Sequence, residues 1–227
     1  MSSFGQLVFS FFYLLIFPLA LFLLAGDWRW PEGWIFSIAF CAMSFAVVVY
    51  LYVKDPALLN ERFGSPIQKS QKSWDKVLLV FFFLGFLGWF AVMPLDARRF
   101  HWSPAFPTWL EVLGFVLFVV AFMLLFGALK ANTYAAPVIK MQKERGQKVV
   151  STGLYGIVRH PMYSGGSLLF ISGPLLLGSI YGLVVGVLMS ITLALRSLGE
   201  EAMLKQELDG YIDYAKRVKW RLIPFVF

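Results

Sequence analysis

The sequence predicts an all-α integral membrane protein with about six transmembrane helices. The last two are expected to form a short helical hairpin, followed by a cytoplasmic, amphipathic C-terminal segment. Hydrophobic residues make up 59% of the 227-residue chain and only 15% of its residues are charged, against about 25% in soluble domains. The mean hydropathy is +0.72, and apolar runs of about 20 residues, long enough to cross a bilayer, recur along the chain. A soluble domain with an unusually apolar core fits these values poorly.

The first four spans are predicted over residues 4–25, 34–53, 77–95 and 109–129. Segments 26–33 and 96–108 are rich in tryptophan and proline, which is typical of turns at the membrane interface. The stretch 54–76 is polar and contains prolines, so it is expected to interrupt the helices and to lie outside the membrane.

The last two apolar segments are predicted over 163–177 and 180–195, joined by Gly178 and Ser179. A two-residue connection leaves room only for a helical hairpin. With about 15 residues each, these segments barely reach across a hydrocarbon core of about 30 Å, so tilting or local thinning of the bilayer is expected.

The orientation follows from the positive charges. Seventeen of the 20 Lys and Arg residues fall in the 54–76 stretch, the 130–160 loop and the tail after residue 195, and three fall on the opposite side. Cytoplasmic loops carry the excess of Lys and Arg, so both termini and these loops are predicted to be cytoplasmic. The net charge of +7 then matches anionic lipid headgroups, and no nucleic-acid partner is expected.

Several classes of site are not indicated by the sequence. Cys41, the single cysteine, lies within an apolar run, which rules out a disulfide framework. With only two histidines and no zinc-binding spacing, no metal is expected. Neither a phosphate-binding loop nor a Ser-His-Asp arrangement is visible.

The most distinctive stretch is 153–166, GLYGIVRHPMYSGG, between the long loop and the fifth apolar segment. Its glycines permit close backbone approach, and Pro161 suits the first turn of a helix. Free N–H groups at that helix start would favour an anionic group. The composition fits a capped helix entrance with aromatic anchors, and it also fits a ligand site.

Two further groups of polar residues follow. Arg196 and Glu200 are four residues apart, so a helix places them on one face, next to Glu201. This group fits an interfacial ion pair, and it also fits a site in which Arg196 binds an anion and Glu200 a cationic or hydroxyl-rich ligand. The segment 211–224 is basic and aromatic, which is typical of a helix lying on the headgroups.

These three motifs, in this order, resemble the integral-membrane methyltransferases, which include isoprenylcysteine carboxyl methyltransferase and the phospholipid methyltransferases. The resemblance rests on GxYxxxRHPxYxG from Gly153, RxxxEE from Arg196 and YxxYxxRV from Tyr211. It covers the chain from Asn132 onward. It implies one membrane domain over 1–227, with four N-terminal spans in 1–130 and a cofactor-binding core in 131–227.

The resemblance implies S-adenosylmethionine as the methyl donor, held on the cytoplasmic side. By position, Arg196 would bind a substrate carboxylate, and Arg196 and Glu201 are the implied catalytic residues. The implied cofactor-binding residues are Tyr155, His160, Pro161, Met162, Tyr163, Glu200, Lys140, Gln147, Lys148, Val149 and Val150.

The predicted reaction is methyl transfer to a membrane-embedded or lipophilic acceptor, first of all a carboxylate as in isoprenylcysteine carboxyl O-methylation. A carboxylate is ionised near pH 7 and needs no general base. N-methylation of phosphatidylethanolamine and S-methylation of a small thiol stay open. Lys219 departs from the prenylcysteine pattern, and the ending Arg221-Leu222-Ile223-Pro224 resembles the NADPH-dependent sterol reductases. A transporter would need more polar residues inside the first four spans than the sequence contains.

Overall fold

A computed structural model of the chain describes residues 3–65, 68 and 71–227. Eight α-helices make up its architecture within those residues: α1 Ser3–Ala25, α2 Pro31–Lys54, α3 Pro56–Arg62, α4 Ser73–Pro94, α5 Thr108–Ala131, α6 Pro161–Leu177, α7 Ile180–Glu207 and α8 Tyr211–Arg217. A π-helical turn, Leu95–Phe100, extends α4. In the described part of the chain the only β-type pairing is an isolated bridge between Val158 and Trp220. The predicted all-α membrane fold is confirmed.

Five of the described helices are long and apolar enough to cross a membrane: α1, α2, α4 with its π-helical extension, α5 and α7. The remaining predicted span, 163–177, is α6, which has only 17 residues and contains Pro174. At a rise of about 1.5 Å per residue it is roughly 25 Å long, shorter than a hydrocarbon core of about 30 Å.

The predicted short hairpin differs from the structure in its second arm. The α7 helix has 28 residues and continues to Glu207, well beyond the predicted end at residue 195. The apolar pattern stops at Leu195, but Arg196 and Glu201 in the next turns are buried and paired with opposite charges. Because these charges are paired and buried, the helix continues beyond the residue at which hydropathy indicates its end.

The α6 helix lies at the centre of the bundle, between α5 and α7 and against α2 and α4. Glycines allow the close contacts, as small residues do between membrane helices. A Cβ atom at Gly114 of α5 would lie 2.4 Å from the backbone nitrogen of Leu176, and one at Gly186 of α7 would lie 2.1 Å from the carbonyl oxygen of Phe170. That oxygen also accepts a hydrogen bond from the Trp89 indole of α4, at 3.0 Å.

The end of the bundle opposite the long loop is closed by Asp96, which is fully buried. Its carboxylate accepts hydrogen bonds from the backbone and hydroxyl of Ser103, both 2.7 Å, and from the hydroxyl of Ser179 at 2.6 Å. Since Ser179 starts α7, this carboxylate joins the end of α4 to the α6–α7 hairpin.

The close contact at Gly186 predicts that Gly186→Ala destabilises the protein by about 1–3 kcal/mol, because the added methyl group would push α7 away from the Phe170 carbonyl. Thermal unfolding in detergent measures the change. Gly88→Ala in α4 is the matched control, since a Cβ atom there meets nothing within 4 Å. An unchanged midpoint for Gly186→Ala would contradict the packing described.

Candidate active site

A cavity of about 400 Å³ opens where α5 ends, α6 begins and α7 ends. This lies within the range of about 300–1,000 Å³ that small-molecule sites occupy. Polar and aromatic side chains from the 132–160 loop, α6, α7 and α8 line one part of it. The other part is apolar and is lined from α4 to α7 by Leu79, Phe82, Leu125, Leu169, Phe170 and Leu193.

The stretch 153–166 forms the α6 entrance, which consists of a 3-10 turn, the residues that precede α6 and the first turns of that helix. Gly153–Gly156 forms a 3-10 turn, and Gly153 has φ +58°, a left-handed conformation that favours glycine. His160 precedes α6 as its N-cap residue, and Pro161 is the first helical residue. Pro161 fixes the start of α6, which places the His160 and Tyr163 rings side by side, parallel within 5° and with centroids 5.4 Å apart.

The tail pairs with this entrance. The backbone N–H of Arg159 donates to the carbonyl of Trp220 at 2.9 Å, and that of His160 donates to the carbonyl of Arg221 at 2.8 Å. The Ser164 hydroxyl donates to the carbonyl of Leu222 at 2.6 Å. The segment after α8 is therefore a part of the site.

Glu201 is the centre of a buried ion cluster. Its carboxylate lies 2.6 Å from Arg159 Nε, 3.3 Å from His160 Nε2 and 3.1 Å from Arg221 Nε. Only 1% of Glu201 is exposed. Through Arg159, His160 and Arg221 this carboxylate joins α7, the α6 entrance and the tail.

Glu200 faces the cavity instead. Its Oε2 atom accepts a hydrogen bond from the Tyr163 hydroxyl at 2.7 Å and lies 3.5 Å from His160 Nδ1. Its side chain is 27% exposed, and it is the only acidic residue among the described residues that line the cavity. His160 and Tyr163 therefore orient Glu200 toward the open space.

Arg196 is paired with a carboxylate from a distant helix. Its Nε donates to Asp75 Oδ1 at 2.8 Å and its Nη2 to the Pro137 carbonyl at 2.8 Å. The guanidinium also lies over the Tyr163 ring, 5.7 Å from the centroid. Arg196 lines the cavity, but Asp75 neutralises its charge.

Besides pairing with Arg196, Asp75 also forms hydrogen bonds to the segment before α4 and to the 132–160 loop. Its carboxylate, fully buried, accepts from the Gln71 amide at 2.8 Å and from the Ile139 backbone N–H at 2.9 Å. The α4 start, the loop and α7 meet at this one side chain.

The loop strip 147–150 is held by a glutamine pair. The Gln142 backbone N–H donates to Gln147 Oε1 at 2.8 Å, and the Gln147 N–H donates to the Gln142 carbonyl at 3.3 Å. Lys140, nearby, forms an ion pair of 2.8 Å with Glu61 of α3. These contacts turn the strip toward the cavity.

Three tyrosines line the cavity from the 3-10 turn and α8. The Tyr214 hydroxyl donates to the Tyr155 carbonyl at 2.8 Å, and burial raises the pKa of Tyr214 to about 12. The Tyr211 hydroxyl is buried and has no hydrogen-bond partner among the described residues. A buried hydroxyl without a partner costs about 1–3 kcal/mol. The Tyr211 hydroxyl is therefore available to form a hydrogen bond with a ligand.

The structure brings together most of the residues singled out by sequence. Those that line the cavity are Lys140, Gln147, Lys148, Val149, Val150, Tyr155, His160, Met162, Tyr163, Arg196 and Glu200. Pro161 and Glu201 do not line it: Pro161 sets the helix start, and Glu201 is enclosed by cations.

Two charged residues of the site lie outside the three sequence motifs, Arg62 at the end of α3 and Asp75 in α4. Asp75 falls in the polar stretch 54–76, two residues before the predicted span, so its only signal was an ionisable residue close to the membrane, which is costly unless it is paired or solvated. Arg62 carried none, since it stands in a polar stretch with many charges. Among the residues that the structure describes, no group of His, Cys, Asp and Glu could hold a metal; the expected absence of a metal stays a prediction.

Residues 109–209 match the family model of phospholipid methyltransferases. That segment belongs to this family. The fold is similar to a solved structure of the eukaryotic intramembrane Ras methyltransferase ICMT (isoprenylcysteine carboxyl methyltransferase), with a TM-score of 0.55 and 19% identity. The match covers 94% of this chain and 74% of that one. A search of curated sequences finds no significant match. The predicted resemblance to the membrane methyltransferases is confirmed over residues 109–209.

His160 is the only histidine among the described residues that line the cavity. Burial alone would lower the pKa of His160, but its hydrogen bonds to Glu200 and Glu201 and their charges raise it above the ordinary value of 6.5. The protonated form therefore stabilises the fold. That stabilisation is complete below pH 6.5 and is lost as the pH rises through the folded-state pKa.

We therefore expect the thermal midpoint in detergent to fall as the pH is raised from 6.5 through that pKa, and the fall to be smaller in His160→Gln. His101→Gln removes the other histidine, which is exposed, and should keep the wild-type dependence. If His160→Gln kept the wild-type pH dependence, the protonated bridge between the two carboxylates would be ruled out.

Proposed function

We propose that this protein is an S-adenosylmethionine-dependent methyltransferase acting on a membrane-embedded or lipophilic acceptor. The observation that carries the proposal is the cavity itself. Its polar part is lined by the motif residues, and its apolar part is lined by helices that would lie in the bilayer. A soluble donor and a lipophilic acceptor can meet only where two such environments join.

The residues fit this cofactor. S-adenosylmethionine offers a planar base, hydroxyl groups, an amino-acid end and a positive sulfur. The cavity offers aromatic rings, the partly exposed Glu200 carboxylate and the unpartnered Tyr211 hydroxyl. Its volume of about 400 Å³ suits a ligand of this size.

The proposed roles follow from position. Tyr155, His160, Met162, Tyr163 and the 147–150 strip would surround the cofactor, with Lys140 at the rim. Glu200 would bind its cationic or hydroxyl groups, oriented by the hydrogen bond from Tyr163. Glu201 would act through Arg159 and His160 as a positioning residue.

S-adenosylmethionine held by these residues would supply an electrophilic methyl group for displacement from its sulfur by the acceptor atom. The chain's contribution is orientation and the exclusion of water, which provide much of the rate in such a displacement. For a carboxylate acceptor no side chain needs to remove a proton, because the acceptor is already ionised at neutral pH. Arg196 would then orient the acceptor through N–H groups that Asp75 and Pro137 do not use.

Phosphatidylethanolamine is the second candidate acceptor, favoured by the family of residues 109–209. Its amine must lose a proton before it reacts. Glu201 is enclosed by Arg159, His160 and Arg221 and does not line the cavity. The Tyr163 hydroxyl is protonated and donates to Glu200 at 2.7 Å, so a water molecule would take the proton of the amine. A small thiol is a third acceptor class. An NADPH-dependent reductase and a transporter are more distant alternatives.

The excess of Lys and Arg in the loops and tail supports an orientation in which the cavity and both termini face the cytoplasm. The soluble cofactor would then enter from the cytoplasm. The acceptor would enter from the bilayer between the helices.

Calorimetric titration of detergent-purified protein with S-adenosylmethionine and, separately, with NADPH tests the proposal. We expect saturable binding of S-adenosylmethionine and none of NADPH. Methyl transfer from labelled cofactor is then measured with a prenylated cysteine carboxylate and with phosphatidylethanolamine vesicles. Absence of S-adenosylmethionine binding would overturn the proposed function.

A second prediction separates donor from acceptor. Glu200→Gln is expected to weaken S-adenosylmethionine binding about 10- to 100-fold, because hydrogen bonds to a charged group are worth about 1.5–3 kcal/mol. Glu207→Gln is the control, since Glu207 is on the same helix but pairs with Lys72 outside the cavity.

Arg196→Gln is combined with Asp75→Asn so that no buried carboxylate is left unpaired. This double variant is expected to raise the KM of the acceptor and to keep the affinity for S-adenosylmethionine. The opposite result, lost cofactor binding with an unchanged acceptor KM, would reverse the two roles.

A further inference from the structure

The cations that line the cavity are mostly neutralised inside the protein. Lys140 pairs with Glu61 at 2.8 Å, and Arg159 pairs with Glu201 at 2.6 Å. Arg196 pairs with Asp75 at 2.8 Å. None of these side chains presents an uncompensated charge to a ligand.

Arg62, the last residue of α3, is the exception. It is partly buried and lines the cavity. Its Nη1 atom donates to the Ala135 carbonyl at 3.1 Å, and no carboxylate of the described residues forms an ion pair with it. Burial lowers the pKa of the Arg62 guanidinium, as expected where no negative charge offsets the loss of water. Lys148, the other lining cation without an ion pair in the described part of the chain, is exposed to solvent.

An unpaired guanidinium at a cavity wall is costly when the cavity is empty and valuable when an anion enters. Arginine presents five N–H donors in a planar fork that matches the oxygens of carboxylates and phosphates. Only one Arg62 donor atom is used within the described protein, by Ala135.

The charges of the lining indicate the kind of anion. Arg62 and Glu200 line the same cavity. Since Glu200 is the acidic residue of the described lining, the cavity presents one carboxylate and one unpaired guanidinium, the pattern that complements a zwitterion.

We propose that Arg62 binds an anion in this cavity, and that this anion is the carboxylate at the methionyl end of S-adenosylmethionine. This inference rests on the proposed function and adds to it a residue that lies outside the three sequence motifs. The anionic headgroup of an acceptor offers the same oxygen chemistry, so the experiment must separate the two sources.

The test compares two ligands that differ only in that carboxylate, S-adenosylmethionine and its decarboxylated form, by calorimetric titration. In the wild-type protein we expect the decarboxylated ligand to bind about 10- to 100-fold more weakly, as for loss of a charged hydrogen bond. In Arg62→Gln the two affinities should become similar, because only S-adenosylmethionine loses a partner. Lys54→Gln, which removes an exposed cation just before α3, should leave the wild-type ratio unchanged.

Thermal unfolding of the ligand-free variants separates binding from structure. Removing an uncompensated charge should leave the midpoint of Arg62→Gln unchanged or higher. A role in folding alone would lower that midpoint and leave the ratio of affinities at its wild-type value, which would overturn the proposal.

The acceptor is tested with the same variant. Arg62→Gln could keep the wild-type ratio of cofactor affinities but raise the KM for phosphatidylethanolamine vesicles or a prenylated cysteine carboxylate. In that case Arg62 binds an anion, but the anion belongs to the acceptor and the cofactor assignment is overturned. If neither changes, Arg62 binds no anion. Failure of the wild-type protein to bind S-adenosylmethionine would instead overturn the proposed function, and with it the cofactor assignment of Arg62.

Discussion

The buried carboxylate of Glu201 is the interaction on which the site depends. Arg159 and His160 from the α6 entrance and Arg221 from the tail all contact it. Charges in such a place are costly unless paired with good geometry, so the three segments can take up this arrangement only together. Glu200, the residue before it in α7, is thereby oriented toward the cavity with His160 and Tyr163 beside it.

A second buried carboxylate, Asp75, also joins separate segments of the chain at the cavity. It joins α4 to α7 through Arg196 and holds the loop through the backbone of Ile139. The cavity is therefore built from contacts between segments far apart in the chain. The predicted division into four spans and a core from residue 131 onward places Asp75 and Arg62 outside that core, although both belong to the site. We propose that the cavity works as one unit with the N-terminal helices.

Much of the fold could be predicted because hydropathy reports directly on contact with lipid. The α1, α2, α4 and α5 helices follow their apolar runs to within a few residues, apart from the π-helical extension of α4. The end of α7 could not be predicted in this way, because Arg196 and Glu201 lie in the helix as members of ion pairs rather than as solvated residues. Local polarity cannot distinguish a buried pair from a water-exposed terminus.

The sequence by itself determined the membrane class, the resemblance to membrane methyltransferases and the motif residues of the cavity, because these depend on local composition and on spacing within short motifs. Only the tertiary structure decided which charges are neutralised and which are free. Asp75 pairs with Arg196 across 121 positions, while Arg62 forms no ion pair with any carboxylate of the described residues. Whether a charge is available to a ligand depends on distances between helices, and the order of residues does not contain those distances.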